Sequence, residues 1–394
     1  MRDQTPKDAQ IRPPKAKPLN PIEAAVKSWQ NSLPAHLLPE TLQTLLTNIP
    51  KRWVAYPPMM LLPSGSFNFD CITDGGSQEA LQSLWEQILQ HVSKREGKGP
   101  LTHLAINAGI PLHQTQEDEN ILRSPSGLIM LYGDFGPALD PLTVPTSKDF
   151  QDAFWVSTKQ NGIVQVWAPR YTMFSRGNVK EKARLLDFHS VGNDQISERR
   201  RQNISELSQQ IALDLYAGIG YFVFSYAKMG LRRVLGWELN PWSVEGLRRG
   251  AVANGWSVKV VSATEDFTES NEQIVVFLGD NTTALNTMRA SFDTETQARV
   301  RHVNCGFLPT SEPSWHSALN LIDNDGWLHL HENVGVVDVE SRRAEIEKLL
   351  QDWLHENGTV TIEHVELVKT FAPGVWHCVF DAYISRRKDS GQQI

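Results

Sequence analysis

The run Asp214-Leu-Tyr-Ala-Gly218-Ile-Gly220 has the residue types and spacing in this sequence that best suit ligand chemistry. It joins an apolar stretch that starts at Ile211 to a segment of helical character. Glycines at such a turn let the backbone approach a ligand where a Cβ would collide. Eighteen residues beyond Gly220 a second apolar stretch ends in Glu238, whose carboxylate can accept hydrogen bonds from both ribose hydroxyls of a nucleoside. The pattern predicts a site for a nucleoside cofactor.

Two features separate this pattern from a dinucleotide fingerprint. Val223 occupies the place of the third glycine, and Asp214, four residues before Gly218, does not belong to that fingerprint. D-x-x-x-G-x-G followed by a strand-terminal Glu is instead similar to the class I S-adenosylmethionine-dependent transferases. We therefore expect S-adenosyl-L-methionine as a co-substrate; a tight turn that binds no ligand is the plain alternative.

A third strand should supply polar groups for the adenine, and two places compete for this role. The stretch from Ile274 ends in Asp280 and Asn281, and the stretch near Val260 ends in Glu265 and the acid after it. Either acid could also be an ordinary helix N-cap. The pattern leaves these two choices open.

Two further motifs follow predicted strands. Asn304 and Pro309 lie where a strand breaks, and base-modifying enzymes use an Asn and a Pro there to hold a planar base. His329 and His331 share one face of the next strand. Two histidines without a clear third ligand do not indicate a metal site.

Basic residues are concentrated between positions 169 and 202. Eight Arg or Lys face four acidic residues there, whereas the whole chain of 394 residues carries a net charge of -7. The local excess predicts a stripe that contacts phosphates, although a solvated helix face and a charged loop would look the same. Its basic members are Arg170, Arg176, Lys180, Lys182, Arg184, Arg199, Arg200 and Arg201.

The elements that must position these residues alternate between strand and helix from residue 210 onward. Such alternation predicts a mostly parallel sheet covered by helices on both faces, with ligands at the carboxyl ends of its strands. Two successive strands near 360–370 and 375–385 suggest an antiparallel hairpin at one edge. The fold class is therefore α/β, with a class I methyltransferase-like (Rossmann-type) sheet.

The pattern of apolar residues in the N-terminal half predicts a smaller α+β unit. Residues 21–33, 36–49 and 78–94 resemble helices, and 127–132 resembles a strand. The segments 154–158 and 163–167 predict a hairpin around Asn161-Gly162. We expect a disordered tail over 1–19, an N-terminal α+β domain over 20–168, and the transferase domain over 169–390.

Composition narrows the class of protein. Hydrophobic residues make up 40% of the chain, and no apolar run reaches the length of a membrane span. The three cysteines, Cys71, Cys305 and Cys378, have no spacing that suits zinc or a disulfide framework. We expect a cytoplasmic protein without a metal.

Taken in order, several pieces of the chain resemble the tRNA wybutosine-synthesizing protein 2 family, relatives of the tRNA guanine-37 N1-methyltransferases. The resemblance covers about residues 126–384. The matching pieces are 167–184, 214–222, 237–241, 279–281, 308–311, 329–334 and 371–374. The segment between Trp256 and Ile274 is longer than the family pattern, which leaves the register of the third strand undetermined.

The resemblance implies transfer of the 3-amino-3-carboxypropyl group of S-adenosylmethionine to C7 of 4-demethylwyosine. That modified guanosine lies at position 37, in the anticodon stem-loop of tRNA-Phe. The resemblance also implies that the N-terminal domain over 20–168 binds tRNA. The implied cofactor contacts are Ser175, Lys182, Glu238, Asp280 and Asn281, a choice that favours Asp280 for the adenine. No general base is assigned.

Roles can be suggested for these residues on physical grounds. Ser175 lies just before a predicted helix and Lys182 about one turn inside it, so the two can share a ligand, with Lys182 on the methionine carboxylate. Three aromatic residues, Tyr221, Phe222 and Trp242, could stack the target base or fill the core. The alternative function is a tRNA guanine-37 N1-methyltransferase on the same scaffold.

Overall fold

A computed structural model of the chain forms two compact units, which are described separately. One unit comprises the described residues up to Ala108 together with Ile129–Gly133, and the other comprises the rest. The structure describes residues 19–33, 46–67, 76–109, 120–140, 143–262, 267 and 270–387.

The first unit packs two helices on a small sheet. Its helices are α1 (Pro21–Ser32) and α2 (Gly76–Glu96). Its strands are β1 (Val54–Tyr56), β2 (Met59–Leu62), β3 (His103–Ile106) and β4 (Ile129–Tyr132), in the order β1-β2-β3-β4.

The sequence pattern located both helices of this unit but not its first three strands. The apolar residues at helical spacing in α2 are all buried, and they pack with Trp29 of α1. Of the helix expected over 36–49, residues 46–48 form a single 3₁₀ turn, and residues 36–45 lie outside the described residues. The buried residues of α2 are Leu81, Leu84, Ile88 and Val92.

The second unit begins with a short helix and the predicted hairpin. Helix α3 (Ser147–Asp152) starts at a Thr146 capping box, and β5 (Val156–Gln160) pairs with β6 (Ile163–Trp167). Asn161 and Gly162 both have positive φ, 52° and 74°, as a two-residue hairpin turn requires.

The rest of this unit alternates helices and strands, as expected. Its helices are α4 (Val179–Leu186), α5 (Ile204–Leu207), α6 (Val223–Met229), α7 (Pro241–Ala253), α8 (Ala284–Ser291), α9 (Thr294–Gln297), α10 (Trp315–Asn320) and α11 (Val339–Leu354). Its strands are β7 (Ile211–Asp214), β8 (Arg233–Glu238), β9 (Val258–Ser262), β10 (Ile274–Leu278), β11 (Val300–Cys305), β12 (Gly326–Gly335), β13 (Gly358–Ala372) and β14 (Val375–Arg386).

These eight strands form one sheet in the order β13-β14-β12-β11-β7-β8-β10-β9. Strands β7 to β12 are parallel to their neighbours within that group, and β14 runs antiparallel to both β12 and β13. The terminal hairpin therefore closes one edge, as the sequence predicts.

Helices cover both faces of this sheet. One core contains apolar residues of α8, α10 and α11, and the other contains apolar residues of α4, α6 and α7. All four residues of β7 are buried, as befits a central strand covered on both sides. This confirms an α/β, Rossmann-type fold.

Two smaller expectations concern membranes and cysteines. Among the described residues, no helix is long and apolar enough to cross a membrane. Cys305 and Cys378 are buried free thiols, and Cys71 lies outside the described residues.

Candidate functional site

The carboxyl ends of β7 and β8 meet at a glycine loop that contacts Glu238. One carboxylate oxygen of Glu238 accepts the backbone N–H of Gly218 at 2.8 Å, and the other accepts that of Asn240 at 2.9 Å. Burial raises the pKa of Glu238, and the two N–H groups oppose that rise. A carboxylate has about four lone-pair positions, so each oxygen can still accept a hydrogen bond from a hydroxyl group.

Glycine is required at two positions of this loop. Gly218 and Gly220 have φ of 54° and 89°, the left-handed region that side chains rarely adopt. A Cβ at Gly220 would lie 2.5 Å from the Phe224 ring. The backbone can therefore turn tightly here, pack against Phe224 at Gly220 and direct the N–H of Gly218 to Glu238.

Asp214 holds the base of the loop. Its Oδ1 accepts the N–H of Tyr216 at 3.1 Å and the side-chain amide of Asn304 at 3.0 Å. Complete burial raises the pKa of Asp214 to about 6 against these hydrogen bonds. Asp214 therefore joins β7 to β11 from inside the protein.

Lys182 is a buried cation next to the glycine loop. It is 3% exposed, and its Nζ donates to Oε1 of Gln160 at 2.7 Å and of Gln165 at 2.8 Å. Within the described residues no carboxylate pairs with this ammonium, and burial lowers its pKa to about 8. An ammonium has three donors, so one remains for an anionic ligand.

The structure brings Ser175 and Lys182 together through Tyr221. The backbone N–H of Ser175 donates to the Tyr221 hydroxyl at 2.9 Å, and Lys182 Nζ lies 5.6 Å from the centre of the Tyr221 ring. Ser175 precedes a 3₁₀ turn, Arg176–Asn178, that leads into α4. Tyr221 itself follows Gly220, so the glycine loop lies against both residues.

Asp280 and Asn281 lie at the end of the strand next to Glu238. Strand β10 pairs directly with β8, and the N–H of Gly279 donates to the Glu238 carbonyl at 3.0 Å. Asp280 is exposed and caps a 3₁₀ turn through the N–H of Thr282, whereas Asn281 donates to the Leu215 carbonyl at 2.8 Å.

The rival acids follow β9, which is the edge strand and pairs only with β10 within the described sheet. Glu265 and the acid after it lie outside the described residues. One strand therefore separates β9 from Glu238, and β10 has the shorter route to the glycine loop.

Asn304 and Pro309 are not brought together. Asn304 is completely buried against Asp214, whereas Pro309 is exposed and its carbonyl accepts the N–H of Asn333 at 2.8 Å. Arg123 donates to the Leu308 carbonyl of the same loop. The expected pair that holds a planar base is therefore not formed by these two residues.

The two histidines of β12 have separate partners. His329 contacts Asp381 at 2.7 Å, and His331 contacts His377 at 2.9 Å. Among the described residues no group of three His, Cys, Asp or Glu side chains is arranged to hold a metal ion.

Two of the three aromatic candidates fill the core. Phe222 and Trp242 are 3% and 5% exposed, and Trp242 stacks on Tyr171 with ring centres 3.7 Å apart. Tyr221 is partly exposed beside Lys182. Of the three, only Tyr221 lies where it can meet a ligand.

The basic stripe is not one surface. Lys182 and Arg184 face the interior, and Arg200 pairs with Glu363. Arg176 and Arg199 are exposed. The sequence count therefore overstated the number of cations available to a phosphate backbone.

Sequence reasoning missed several residues that shape the site. Gln160 and Gln165 hold Lys182 from the hairpin, and Asp381 holds Arg184 from β14. Only the pairing of the strands could have indicated these residues, because polar residues on a strand form no recognisable sequence motif.

The fold and this site define an S-adenosylmethionine-dependent transferase of the class I, α/β type. No protein-family model matches the sequence. The tRNA wybutosine-synthesizing protein 2 of Schizosaccharomyces pombe is 39% identical over 383 residues, which cover 91% of this chain and 81% of that protein. The protein of the same name from Saccharomyces cerevisiae is 34% identical over 384 residues, covering 86% and 75%. The chain belongs to the tRNA wybutosine-synthesizing protein 2 family.

Solved structures share the fold at low identity. The Pyrococcus horikoshii protein TYW2, in complex with MeSAdo, is 17% identical with a TM-score of 0.55, over 93% of this chain and all of that one. Trm5b from Pyrococcus abyssi is 15% identical with a TM-score of 0.52, over 88% and 78%.

Proposed function

We propose that the chain transfers the 3-amino-3-carboxypropyl group of S-adenosylmethionine to C7 of 4-demethylwyosine at position 37 of tRNA-Phe. Family membership supports the reaction. Lys182 is the observation that best supports where the transferred group binds. It is a buried ammonium beside the glycine loop and has no carboxylate partner among the described residues.

Glu238 fits the ribose of the co-substrate. Its oxygens already accept one backbone N–H each, which fixes their direction, and both keep lone pairs for the two hydroxyls. Asp280 and Asn281 on the neighbouring strand would contact the adenine. The carboxylate of Asp280 can accept from the exocyclic amine, and the amide of Asn281 can donate to a ring nitrogen.

Ser175 and Lys182 fit the methionine arm. The third N–H of Lys182 would donate to the carboxylate of the arm, and the hydroxyl of Ser175, which caps no helix, can bond the same group. Pairing with an anion also offsets the cost of burying the ammonium.

Bound S-adenosylmethionine supplies a sulfonium with three activated carbons. In the transfer, the bond between sulfur and the methionine Cγ breaks and a bond from Cγ to C7 forms. The sulfur keeps the electron pair as neutral 5′-methylthioadenosine, and the C7 proton passes to solvent water. The methyl group is the least hindered of the three carbons, so Ser175 and Lys182 must hold the arm with Cγ toward the base.

The alternative, a guanine-37 N1-methyltransferase, calls for an Asn-x-Pro style element that holds N1. In this chain Asn304 is separated from Pro309 by four residues, and it is buried against Asp214. The described geometry does not build that element, which favours aminocarboxypropyl transfer.

The tRNA substrate would present its anticodon stem-loop, because nucleotide 37 must leave its stack to reach the site. Exposed Arg176 and Arg199 can contact its phosphates, and the N-terminal domain would supply further grip. The small number of cysteines fits a reducing, cytoplasmic setting.

The test is nucleoside mass spectrometry after incubation of the purified chain with S-adenosylmethionine and tRNA-Phe. We expect tRNA carrying 4-demethylwyosine to gain the mass of the aminocarboxypropyl group, and tRNA carrying guanosine at position 37 to stay unchanged. Methylation of the guanosine substrate would contradict the proposal.

A further inference from the structure

Helix α4 turns three charged side chains toward the protein interior. Glu181 is fully buried, Lys182 is 3% exposed, and the Arg184 side chain is 7% exposed. Charged side chains are almost never buried unless they are paired. The three charged side chains of this eight-residue helix therefore require partners. Glu181 and Arg184 pair with charged groups, whereas Lys182 is held by neutral amides.

Arg184 bridges two carboxylates. It donates to both oxygens of Glu181 at 2.8 and 2.7 Å, and to the two oxygens of Asp381 at 2.5 and 3.2 Å. A planar guanidinium that binds two carboxylates in this way fixes direction as well as distance. Asp381 lies on β14, so Arg184 ties α4 to the sheet.

A chain of histidines fixes Asp381 from the other side. His329 Nδ1 lies 2.7 Å from Asp381 Oδ1, His329 Nε2 lies 3.0 Å from His302 Nδ1, and His302 Nε2 lies 3.1 Å from His189 Nε2. Burial keeps His302 and His189 neutral by lowering the pKa of each. His302 and His189 therefore extend the contact of Asp381 inward as neutral hydrogen-bonding rings.

Lys182 is held from the opposite side. Its Nζ contacts Gln160 and Gln165 of the hairpin β5–β6, and burial is the cause of its lowered pKa. The carboxylates of Glu181 and Asp381 accept hydrogen bonds from Arg184 and do not pair with Lys182. The two sets are connected through the backbone of α4.

We propose that Arg184, fixed by Asp381, is a positioning residue that places Lys182 on the methionine carboxylate and so selects the ligand that carries the aminocarboxypropyl arm. The proposal rests on the role of Lys182 given above. A buried ion pair of this kind often adds little net stability, which leaves geometry as its contribution.

The test compares two ligands of the full-length chain. S-adenosylmethionine has the aminocarboxypropyl arm, and 5′-methylthioadenosine has the same adenine and ribose without it. Calorimetry on Lys182→Met, Arg184→Gln and Asp381→Asn gives the affinity ratio of the two ligands for each variant. A residue that only stabilises the fold would weaken both ligands alike.

We expect Lys182→Met and Arg184→Gln each to lower the ratio of S-adenosylmethionine to methylthioadenosine affinity by about tenfold. Arg184→Lys keeps the charge but cannot bind two carboxylates through a planar guanidinium, so it should lower the affinity ratio by less than about tenfold. In a Lys182→Met background, Arg184→Gln should change the ratio by less than about twofold, because the two residues act through one contact.

The outcomes separate the proposals. If Lys182→Met leaves the ratio unchanged, the methionine arm lies elsewhere, and the assignment of Lys182 fails together with the positioning role. If Lys182→Met lowers the ratio and Arg184→Gln does not, only the positioning role fails. Should Arg184→Gln not fold, Asp381→Asn is the second variant: it keeps the side-chain size but removes one of the two oxygens that accept from Arg184, so it should also lower the ratio. An unchanged ratio in that variant overturns the proposal.

Discussion

Replacing Glu238 by Gln removes one charge while keeping the side-chain size. In the structure each carboxylate oxygen accepts one backbone N–H, from Gly218 at 2.8 Å and from Asn240 at 2.9 Å. The amide of Gln has a single oxygen, so its NH₂ group must face one of these N–H groups. One donor therefore loses its acceptor in either orientation of the amide.

The magnitude follows from the hydrogen bonds that the substitution removes. A hydrogen bond to a charged group contributes about 1.5 to 3 kcal/mol, and a neutral one about half that. If a ribose hydroxyl loses its charged acceptor, binding should weaken by about 1 to 3 kcal/mol, or about 5- to 150-fold. Glu238→Ala should lie at the upper end of this range.

The assay is titration calorimetry with S-adenosylmethionine and with 5′-methylthioadenosine. Both ligands contain the ribose, so Glu238→Gln should weaken both by similar factors. Glu347→Gln is the matched control, because Glu347 also accepts a backbone N–H, from Ile362 at 2.7 Å, on a helix away from the glycine loop. Unchanged affinity for both ligands in Glu238→Gln would refute the ribose assignment.

Three further predictions address the remaining contacts. Asp280→Ala should weaken S-adenosylmethionine binding by about 1 to 3 kcal/mol in calorimetry, while Glu265→Ala binds nearly normally; the reverse result would place the adenine beside β9. Lys182 has a pKa of about 8 without ligand, and an anionic ligand favours its charged form. Affinity for S-adenosylmethionine should therefore be complete below pH 8 and fall as the pH rises through 8; a pH profile that is the same in Lys182→Met would contradict this. Charge reversal of exposed Arg176 and Arg199 should weaken tRNA binding and reduce its salt slope by about one per lost phosphate contact, with S-adenosylmethionine affinity unchanged; an unchanged slope would show that neither residue contacts phosphate.

The sheet of the second unit could be predicted because its strands are apolar runs separated by helices with their own periodicity. The glycine loop and Glu238 follow two such runs, and parallel strands bring their carboxyl ends to one edge. The hairpin turn at Asn161 was equally visible, since few residues other than Asn and Gly tolerate its backbone angles.

Strands β1 to β3 could not be predicted in the same way. They have three or four residues each, and β1 and β2 are separated only by Pro57 and Pro58. A segment this short contains too few alternations for a period to be recognised. Their pairing comes from packing against the helices of the first unit.

The partners of the site were not predictable because they are distant in sequence. Arg184 and Asp381 are 197 residues apart, and no local pattern states which carboxylate a given arginine will meet. The same limit explains the overestimated basic stripe. A count of charges does not tell which side chains, such as Lys182, turn inward.

The order of the two candidate third strands in the sheet could not be predicted without the topology. The sequence places β9 before β10, whereas the sheet places β10 next to β8 and β9 at the edge. This crossover puts Asp280 on the strand that neighbours Glu238. Hydrophobic runs in the sequence predict that both strands exist, but they do not predict the order of the strands in the sheet.

The central claim is that the aminocarboxypropyl group, and not the methyl group, leaves the sulfonium. The most direct measurement uses two preparations of S-adenosylmethionine, one labelled in the methionine carboxyl carbon and one labelled in the methyl group, with tRNA-Phe that carries 4-demethylwyosine. We predict that the carboxyl label enters the tRNA, that the methyl label does not, and that 5′-methylthioadenosine accumulates. Methyl label in the tRNA, with S-adenosylhomocysteine as the by-product, would contradict the account.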